Sequence, residues 1–416
     1  MAGKNRTGGK RRLGKVTKSS SQPPVLISPD IITEILSMLP PKAFARSRCL
    51  SKSFNSFLTD SRLIQNLAVH STQKPENQKL LFNDDHHTCP PRSLNLEKID
   101  LDHCSLQVDF FEKLDLPYVS SRVASCDGLV INYYYGGTFI LLNPSTGEYR
   151  CVPGSYGDFF GFGYDLTNED YKILDGSWSK VEHVDHNICK VKVFSFQNKR
   201  WKSINPDPSA KLKPIGEGAV YVCGALHWIA VDCCHNHSCR YSYYHDSHGH
   251  YYRQCNIIGP VEKQNKRHIV SFNLSEEKFG QIVIPANYYK HRSMINIAGI
   301  SALGGQLCVT MHYAITKSTD IWVMEKYGDA KSWIKLQTIC RYYNSDLKYC
   351  LSPICYTKNG CLVFRNPYHL GLDIYDPRNK SWSVLEFPRD LQPMCLRAAY
   401  EENFVSLREL LGDQIN

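Results

Sequence analysis

The 416-residue chain has no apolar run near the roughly 18 residues that a membrane-spanning helix needs, and no signal-peptide core follows its basic start. It also lacks a Gly-x-Ser-x-Gly elbow, a glycine-rich phosphate loop with its lysine, and a His-Glu-x-x-His pair. We therefore predict a soluble, intracellular protein with no membrane partner, no catalytic residue and no cofactor. Its expected location is the nucleus, the cytoplasm or both.

Acidic side chains are absent from the first 29 residues, which hold seven of the 49 lysines and arginines of the chain. The formal net charge is +9, but outside this head 42 basic residues stand against 40 acidic ones. The rest of the chain is nearly neutral, so its charge does not indicate a nucleic-acid partner. We predict a disordered basic tail over residues 1–24. Within it, Lys10-Arg11-Arg12 is either ordinary tail or a nuclear localisation signal.

The 17 cysteines do not suggest a disulfide framework, because their number is odd and many lie in apolar, strand-like runs. A reduced thiol in such a run behaves as a small hydrophobe. The members of this group are Cys151, Cys223, Cys308, Cys355 and Cys361.

One tract, within residues 232–267, is rich in cysteine and histidine. Its members are Cys233, Cys234, His235, His237, Cys239, His245, His248, His250 and Cys255. Their spacing lacks the two clean ligand pairs of a structural zinc site, and a long loop must lose entropy before it can coordinate a metal. We predict an extended surface loop without a metal, and zinc binding is the alternative.

Residues 28–57 carry the most specific local pattern in the chain. Ser28 is suited to cap a helix, Pro29 fits its first turn, and the Pro40-Pro41 pair ends it. Between them, apolar residues recur with the spacing of one helical stripe: Ile31, Ile32, Ile35, Leu36 and Leu39. Two shorter helices are expected up to Leu58. A unit this small cannot cover its own apolar surface, so it packs on the rest of the chain or on a partner.

This segment resembles an F-box, and we place that domain at residues 25–70. The positions in register with the F-box pattern are Asp30, Ile32, Glu34, Ile35, Leu36, Leu39, Pro40, Lys42, Arg46, Cys49, Leu50, Ser51 and Lys52. The chain departs from the pattern at Pro29, which is shifted by one place, and at Phe54, which replaces the usual tryptophan. The resemblance implies docking on a Skp-type adaptor and, through it, on a cullin. The residues it implies for this contact are Pro29, Ile31, Ile35, Leu36, Leu39, Pro40 and Leu50.

From Val123 onward, short apolar strands and turn residues replace the helical pattern, and one hairpin recurs. Its paired anchors are Leu142 with Tyr149, Phe196 with Trp201, Phe272 with Phe279, Met324 with Trp333, and Tyr375 with Trp382. The first anchors are 54, 76, 52 and 51 residues apart. Such a period fits four strands per unit and predicts a β-propeller of five full blades and one composite blade. Residues 79–100 and 395–407 would each supply half of the composite blade and so close the ring.

The predicted fold class is α+β multidomain: a short helical F-box followed by an all-β, kelch-like propeller of six blades over residues 79–407. The long interval reflects an insertion at residues 232–267, and residues 408–416 are a C-terminal tail. This region resembles the F-box-associated domain found behind many plant F-boxes. The motifs that carry the resemblance are Ser125-Cys126-Asp127-Gly128-Leu129, Leu142-Asn143-Pro144-Ser145-Thr146-Gly147, Gly161-Phe162-Gly163-Tyr164-Asp165, Tyr171-Lys172-Ile173 and Gly224-Ala225-Leu226-His227-Trp228.

Long loops on the rim of a propeller are common sites of partner contact. The insertion therefore predicts a target-binding loop, whose candidate residues are Tyr241, Tyr243, Tyr244, Tyr251 and Tyr252. Other conspicuous residues favour structural roles. Asp127, Gly128 and Asp165 are expected in turns, and His227 is expected as a hydrogen-bonded strand residue. The tryptophans expected in the core are Trp201, Trp228, Trp322, Trp333 and Trp382.

The two resemblances together imply the substrate-recognition subunit of an SCF-type (Skp-cullin-F-box) ubiquitin ligase. Its F-box would dock on the Skp adaptor, and its propeller would bind a protein substrate for ubiquitination without catalysing a reaction. One alternative is a scaffold of F-box and adaptor outside a ligase. Another is a propeller enzyme, which would need convergent acids, arginines or metal ligands where the repeats offer aliphatic and aromatic residues. The sequence identifies neither the substrate nor the propeller face that binds it.

Overall fold

The computed structural model describes residues 78–412 with gaps, together with Ser28, Ile31, Ile32, Glu34, Ile35, Leu50 and Ser51. The gaps are residues 85–88, 97–109, 121, 135–136, 156, 181–186, 205–211, 233–239, 246–250, 257–266, 286–294, 314, 341–351, 366–370, 392–393 and 404. Within the described ranges, no helix is long and apolar enough to cross a membrane.

Six four-stranded antiparallel sheets form the blades of a propeller, which confirms the predicted architecture and its six blades. The first blade contains β1 (Gln78–Asp84), β2 (Arg92–Asn95) and β3 (Phe111–Lys113). The second contains β4 (Val123–Cys126), β5 (Leu129–Tyr134), β6 (Thr138–Asn143) and β7 (Glu148–Pro153). The third contains β8 (Phe159–Asp165), β9 (Asp170–Lys180), β10 (Asn187–Ser195) and β11 (Arg200–Ile204).

The fourth blade differs from the others because a separate two-stranded sheet interrupts it. The blade contains β12 (Leu212–Val222), β13 (Ala225–Asp232), β16 (Arg267–Asn273) and β17 (Lys278–Ile282), and the separate sheet contains β14 (Arg240–His245) and β15 (Tyr251–Asn256). The fifth blade contains β18 (Ile295–Leu303), β19 (Gln306–Tyr313), β20 (Ser318–Met324) and β21 (Trp333–Cys340). The sixth blade contains β22 (Pro353–Tyr356), β23 (Leu362–Arg365), β24 (Gly371–Asp376) and β25 (Ser381–Glu386).

The ring closes in the first blade, where β26 (Met394–Glu401) pairs antiparallel with β1. The start of the chain supplies three strands of this blade and its end supplies one, so the predicted equal division was wrong. Strand β3 was not predicted, because a strand of three residues is too short to show an alternating pattern. Pairing of the two chain ends within one sheet leaves no open sheet edge at the junction.

Four of the five predicted anchor pairs lie directly opposite each other across their hairpins, among them Leu142 and Tyr149. The fifth was wrong, because Trp201 pairs with Phe194 and not with Phe196. Strand β10 ends before Phe196, which lies in the turn and is fully buried there. The sequence pattern could not separate the two phenylalanines, since both are apolar and only two residues apart.

The core lies between neighbouring blades, where aromatic side chains of facing sheets interleave. Phe159 of the third blade meets Trp228 of the fourth edge to face, with ring centroids 5.7 Å apart. The Trp228 indole also donates to the Phe160 carbonyl oxygen at 3.0 Å. Gly161 permits this close approach, because a Cβ there would lie 2.7 Å from Leu226 Cδ1. Each buried ring contributes roughly 1.5–3 kcal/mol of transfer free energy, so these interfaces fix the blades rigidly.

A short helix, α1 (Leu407–Leu411), follows β26 and packs against the second blade. Leu407 and Leu411 are fully buried there, and the Glu148 carboxylate accepts a hydrogen bond from the Leu407 N–H at 2.6 Å. The Asn143 side chain donates to the Val405 carbonyl oxygen at 2.9 Å. Residues 408–416 were predicted to form a tail, but up to Leu411 this segment packs on the propeller.

Candidate docking faces of the propeller

The strand directions sort the connections of the ring onto two faces. We number the four strands of each blade from the innermost outward. The connections from the first strand to the second and from the third to the fourth lie at one end of the ring, which we call the turn face. The second-to-third connections and those between blades lie at the other end, which we call the loop face. β1 begins with Gln78 opposite Glu401, at the turn face. The chain that carries the F-box pattern therefore enters the ring from that face.

Five hairpins of the turn face share one compact design. They span 143–148, 165–170, 195–200, 273–278 and 376–381, with four residues between the paired ends. The first residue is Asn, Asp or Ser, and its side-chain oxygen accepts from a backbone N–H two or three residues later. The fifth residue always has a positive φ, between 51° and 75°. These turns are thus closed by their own side chains.

A buried ion-pair network ties the third blade to the fourth at the turn face. Lys172 Nζ lies 2.8 Å from Asp165 Oδ2 and 3.2 Å from Glu277 Oε1. Ser275 Oγ donates to the other Asp165 oxygen. Burial alone raises the pKa of Asp165, but hydrogen bonds from Asn168, Lys172 and Ser275 outweigh it and hold that pKa well below its usual range. The network stabilises the turn face and leaves no free acid for chemistry at Asp165.

The conspicuous residues for which structural roles were predicted have them. Asp127 and Gly128 form the tight turn between β4 and β5, with φ of 49° and 76°. Asp165 begins the turn between β8 and β9. His227 is fully buried, with Nδ1 3.1 Å from the Val220 carbonyl oxygen and Nε2 2.9 Å from Tyr327 Oη. Two tryptophans are buried and three pack partly exposed against the core: Trp228 and Trp333, and Trp201, Trp322 and Trp382.

On the loop face, side chains bridge neighbouring blades, as at the junction of the second and third. Where the second blade meets the third, the Arg122 guanidinium carbon lies 4.1 Å from the Tyr133 ring centroid, and Arg122 Nη2 donates to the Gly157 carbonyl oxygen at 3.1 Å. Tyr133 Oη donates to the Ser155 carbonyl oxygen at 2.6 Å. Asp175 Oδ2 accepts from both the N–H and the hydroxyl of Ser155, at 2.9 and 2.5 Å. This network fixes the connection between β7 and β8.

The predicted target-binding tyrosines lie on the loop face, because they belong to the connection between β13 and β16. The prediction of an extended loop was wrong for two stretches, since β14 and β15 pair as an antiparallel hairpin. Tyr241, Tyr243 and Tyr244 are in β14, and Tyr251 and Tyr252 are in β15. Tyr244 and Tyr252 are directly opposite each other, as are His245 and Tyr251. Their role in binding stays a prediction.

Three of the seven predicted adaptor-binding residues are described, and all three are exposed: Ile31, Ile35 and Leu50. Residues 31, 32, 34 and 35 are helical, and the Ile32 N–H donates to the Ser28 carbonyl oxygen at 3.1 Å. Pro29, Leu36, Leu39 and Pro40 lie outside the described residues. The three-helix arrangement of this segment therefore stays a prediction.

The five cysteines that were predicted to act as core hydrophobes are all free thiols. Of those predicted to act as core hydrophobes, Cys308, Cys355 and Cys361 are buried, whereas Cys151 and Cys223 are exposed. Most of the Cys/His tract lies outside the described residues, namely residues 233–239 and 246–250. Elsewhere, within the part of the chain that the structure describes, no group of three or more His, Cys, Asp or Glu side chains could hold a metal ion.

The family of the chain follows from matches that cover most of it. Residues 85–363 match the F-box associated beta propeller domain, and residues 26–66 match the F-box domain. The chain therefore belongs to the F-box associated beta propeller domain family, which confirms both resemblances. Proteins that join an F-box to such a propeller are generally non-catalytic substrate adaptors.

Similar proteins occur in Arabidopsis thaliana. F-box protein CPR1 is 24% identical over 381 residues, which cover 86% of this chain and 83% of that protein. A second F-box protein is 26% identical, and the match covers 77% of this chain and 74% of that protein. An F-box/kelch-repeat protein is 21% identical, and the match covers 74% of this chain and 78% of that protein. Among solved structures, TolB from Acinetobacter baumannii has a TM-score of 0.44 at 9% identity, covering 78% of this chain and 66% of that one. That similarity is too distant to inform function.

Proposed function

We propose that this chain is the substrate-recognition subunit of an SCF-type ubiquitin ligase. In this role the F-box docks on a Skp-type adaptor, which joins it to a cullin, and the propeller holds the target protein. The observation that carries the proposal is a group of exposed apolar side chains that precede the propeller in the sequence, while the propeller closes on itself. Of these side chains, Ile31 is 51% exposed, Ile35 48% and Leu50 73%. Large exposed apolar side chains that cluster at one segment are typical of a protein interface.

The chain itself contributes proximity and no chemical step. A target held on the propeller has its lysines at a high effective concentration beside the charged conjugating enzyme. Rigid blades help, because they limit the volume that a bound target explores. The candidate docking residues for the adaptor are those named above, and the tyrosines of β14 and β15 are candidates for the target.

The docking step is tested by a charge on the apolar stripe. We expect the double variant Ile35→Asp with Leu36→Asp to lose capture of a Skp-type adaptor, because a buried carboxylate at an apolar interface is costly. Ile315→Asp is the matched control, since Ile315 is an equally apolar side chain, 69% exposed, on the loop face. Adaptor capture that survives the double variant and equals that of the control would contradict docking.

Membership in a ligase is tested separately from adaptor binding. Co-purification of both adaptor and cullin with the full chain, lost together in the F-box double variant, supports the ligase. Adaptor without cullin supports the alternative, a scaffold outside a ligase.

We also propose that the basic head directs part of the protein to the nucleus, and replacing Lys10-Arg11-Arg12 with alanines should then shift a fluorescent fusion to the cytoplasm.

A further inference from the structure

Two neighbouring carboxylates lie at the turn face, beside the seam where the ring closes. Asp127 is in the tight turn between β4 and β5 of the second blade, and Glu401 ends β26 in the first. The two segments touch, because Asn403 Nδ2 donates to the Asp127 carbonyl oxygen and a Cβ on Gly128 would lie 2.6 Å from Asn403 Cβ. Asp127 and Glu401 are half-buried, so solvent reaches both residues.

This acidic pair is short of hydrogen-bond donors. Gln78 starts β1 opposite Glu401, and its side chain hydrogen-bonds to the Glu401 carboxylate. Glu401 Oε2 and Gln78 Oε1 are nevertheless buried without a hydrogen-bond partner. Burial, and then the charge of Asp127, raise the pKa of Glu401 to about 7. Among the described residues, no lysine or arginine pairs with Glu401 or Asp127, so no cation offsets the two negative charges.

A buried tyrosine adds a third unpaired oxygen atom. Tyr164 is 6% exposed, and its hydroxyl has no hydrogen-bond partner in the structure. Tyr164 and Tyr171 lie opposite each other in the third blade, with ring centroids 4.9 Å apart, and Tyr171 Oη donates to Asp127 Oδ2 at 3.4 Å. Burial, and then the charges of Glu169 and Asp127, raise the pKa of Tyr164 well above its usual value. The unpaired hydroxyl therefore points toward the acidic pair and has negative charges around it.

We propose that this cluster binds an organic cation that carries an ammonium or guanidinium group. Such a group combines a positive charge with several N–H donors, which are what the two carboxylates and the unpaired oxygens lack. Since Glu401, Asp127 and Tyr164 belong to the first, second and third blades, the bound cation would join these blades and reinforce the closure of the ring. This inference goes beyond the proposed function, because it adds a ligand that the receptor role does not require.

A metal ion fits the cluster less well. Calcium and magnesium take about six or more oxygen ligands in a complete shell. Within the described part of the chain, no group of three or more His, Cys, Asp or Glu side chains could hold a metal ion. The neighbouring Cys126 is buried, and burial raises the pKa of its thiol well above the usual value, so this thiol stays protonated and is a poor metal ligand.

The test measures the binding of simple amines to the full chain. The probe is butylammonium, and butyltrimethylammonium is its control, because it has the same charge and chain but no N–H donor. Isothermal titration calorimetry at pH 8 and constant ionic strength gives both affinities, and at this pH Glu401, with its pKa of about 7, is ionised. The site variant is Asp127→Asn with Glu401→Gln, and the control variant is Asp115→Asn with Glu386→Gln, two exposed acids of the loop face.

We expect the wild-type chain to bind butylammonium at least about tenfold more tightly than butyltrimethylammonium, and the site variant to bind it at least about tenfold more weakly than the control variant. Asp127→Asn keeps the turn, because asparagine readily adopts a positive φ. Tyr164→Phe removes only the unpaired hydroxyl and should weaken binding about threefold. No binding of butylammonium, equal binding of the two amines, or equal affinities of the two variants would overturn the proposal.

The same group has two sources, a free amine and a lysine side chain of another protein, and a third ligand distinguishes them. Nα-acetyl-lysine N-methylamide presents the lysine ammonium on a peptide backbone. An affinity equal to or above that of butylammonium assigns the site to a lysine side chain, and a lower affinity assigns it to a free amine. Either result supports the shared chemistry and names its source.

Discussion

The two faces of the propeller are built on different principles. The turn face contains five short hairpins closed by their own Asn, Asp or Ser side chains, and a buried network around Lys172. The loop face contains the longest connection within a blade, between β13 and β16, and bridging side chains such as Arg122 hold its connection between β7 and β8. Local hydrogen bonds leave little freedom to vary a turn without a loss of stability. Longer connections tolerate variation, so recognition is expected on the loop face and stability on the turn face.

The largest effect should come from the centre of the turn face. Lys172→Met removes the cation between Asp165 and Glu277, and breaking a buried ion pair typically costs about 3–5 kcal/mol. Denaturant unfolding measures this loss. Lys202→Met is the control, because Lys202 Nζ also contacts Glu277 at 2.6 Å but its side chain is 67% exposed, so we expect about 1 kcal/mol or less. Equal losses in the two variants would show that burial of the pair is unimportant.

A second effect depends on pH and concerns the seam where the ring closes. Burial, and then the nearby charge of Asp127, raise the pKa of Glu401 to about 7. A carboxyl with a raised folded-state pKa contributes stability below its unfolded pKa and loses that contribution as pH rises through about 7. Glu401→Gln should therefore gain on the order of 1–2 kcal/mol relative to wild type between pH 5 and pH 8. Unfolding curves at the two pH values measure it, and the exposed Glu386→Gln should show no such trend.

A smaller effect tests the backbone of the shared hairpin. Gly147 has a φ of 75°, and a Cβ added there would meet no neighbouring atom within 4 Å. Gly147→Ala therefore tests the backbone conformation without a steric clash. We expect a loss of about 1 kcal/mol in the free energy of unfolding. Lys380 occupies the equivalent place with φ of 52°, and Lys380→Gly should change stability by roughly 0.5 kcal/mol or less. A stabilising Gly147→Ala would contradict the common design.

The smallest effect is expected on the loop face. Ser155→Ala removes one of the two hydrogen bonds that Asp175 Oδ2 accepts and keeps the one from the Ser155 N–H. We expect a loss of roughly 0.5–1 kcal/mol, the usual net value of one hydrogen bond. Thermal or denaturant unfolding measures it. A loss as large as that of Lys172→Met would remove the distinction between a stabilising face and a variable one.

Local chemistry made the blades predictable. Each hairpin contains its own turn residues, such as the Asn143 that closes 143–148, and an aromatic residue opposite an apolar one, such as Tyr149 opposite Leu142. The signals of one hairpin lie within about a dozen consecutive residues, so four of the five anchor pairs were predicted correctly. The error at Phe196 arose where two equivalent side chains competed, and only the strand end decided between them.

The candidate sites were predictable in part. The apolar stripe of the F-box segment has a helical period, and its described members Ile31 and Ile35 are exposed. The insertion was visible as excess length, but its two strands were not, because residues 240–256 lack an alternating apolar pattern.

The amino-acid sequence by itself determined the repeated blade, the six-fold count and the F-box pattern, because periodicity and turn chemistry act over short distances along the chain. Only the tertiary structure decided the closure of the ring by three strands and one, the packing of α1 on the second blade, and the ion-pair network that joins the third blade to the fourth. These features depend on contacts such as that between Gln78 and Glu401, more than 300 residues apart. Such pairings form through the geometry of the closed ring, which no short segment encodes.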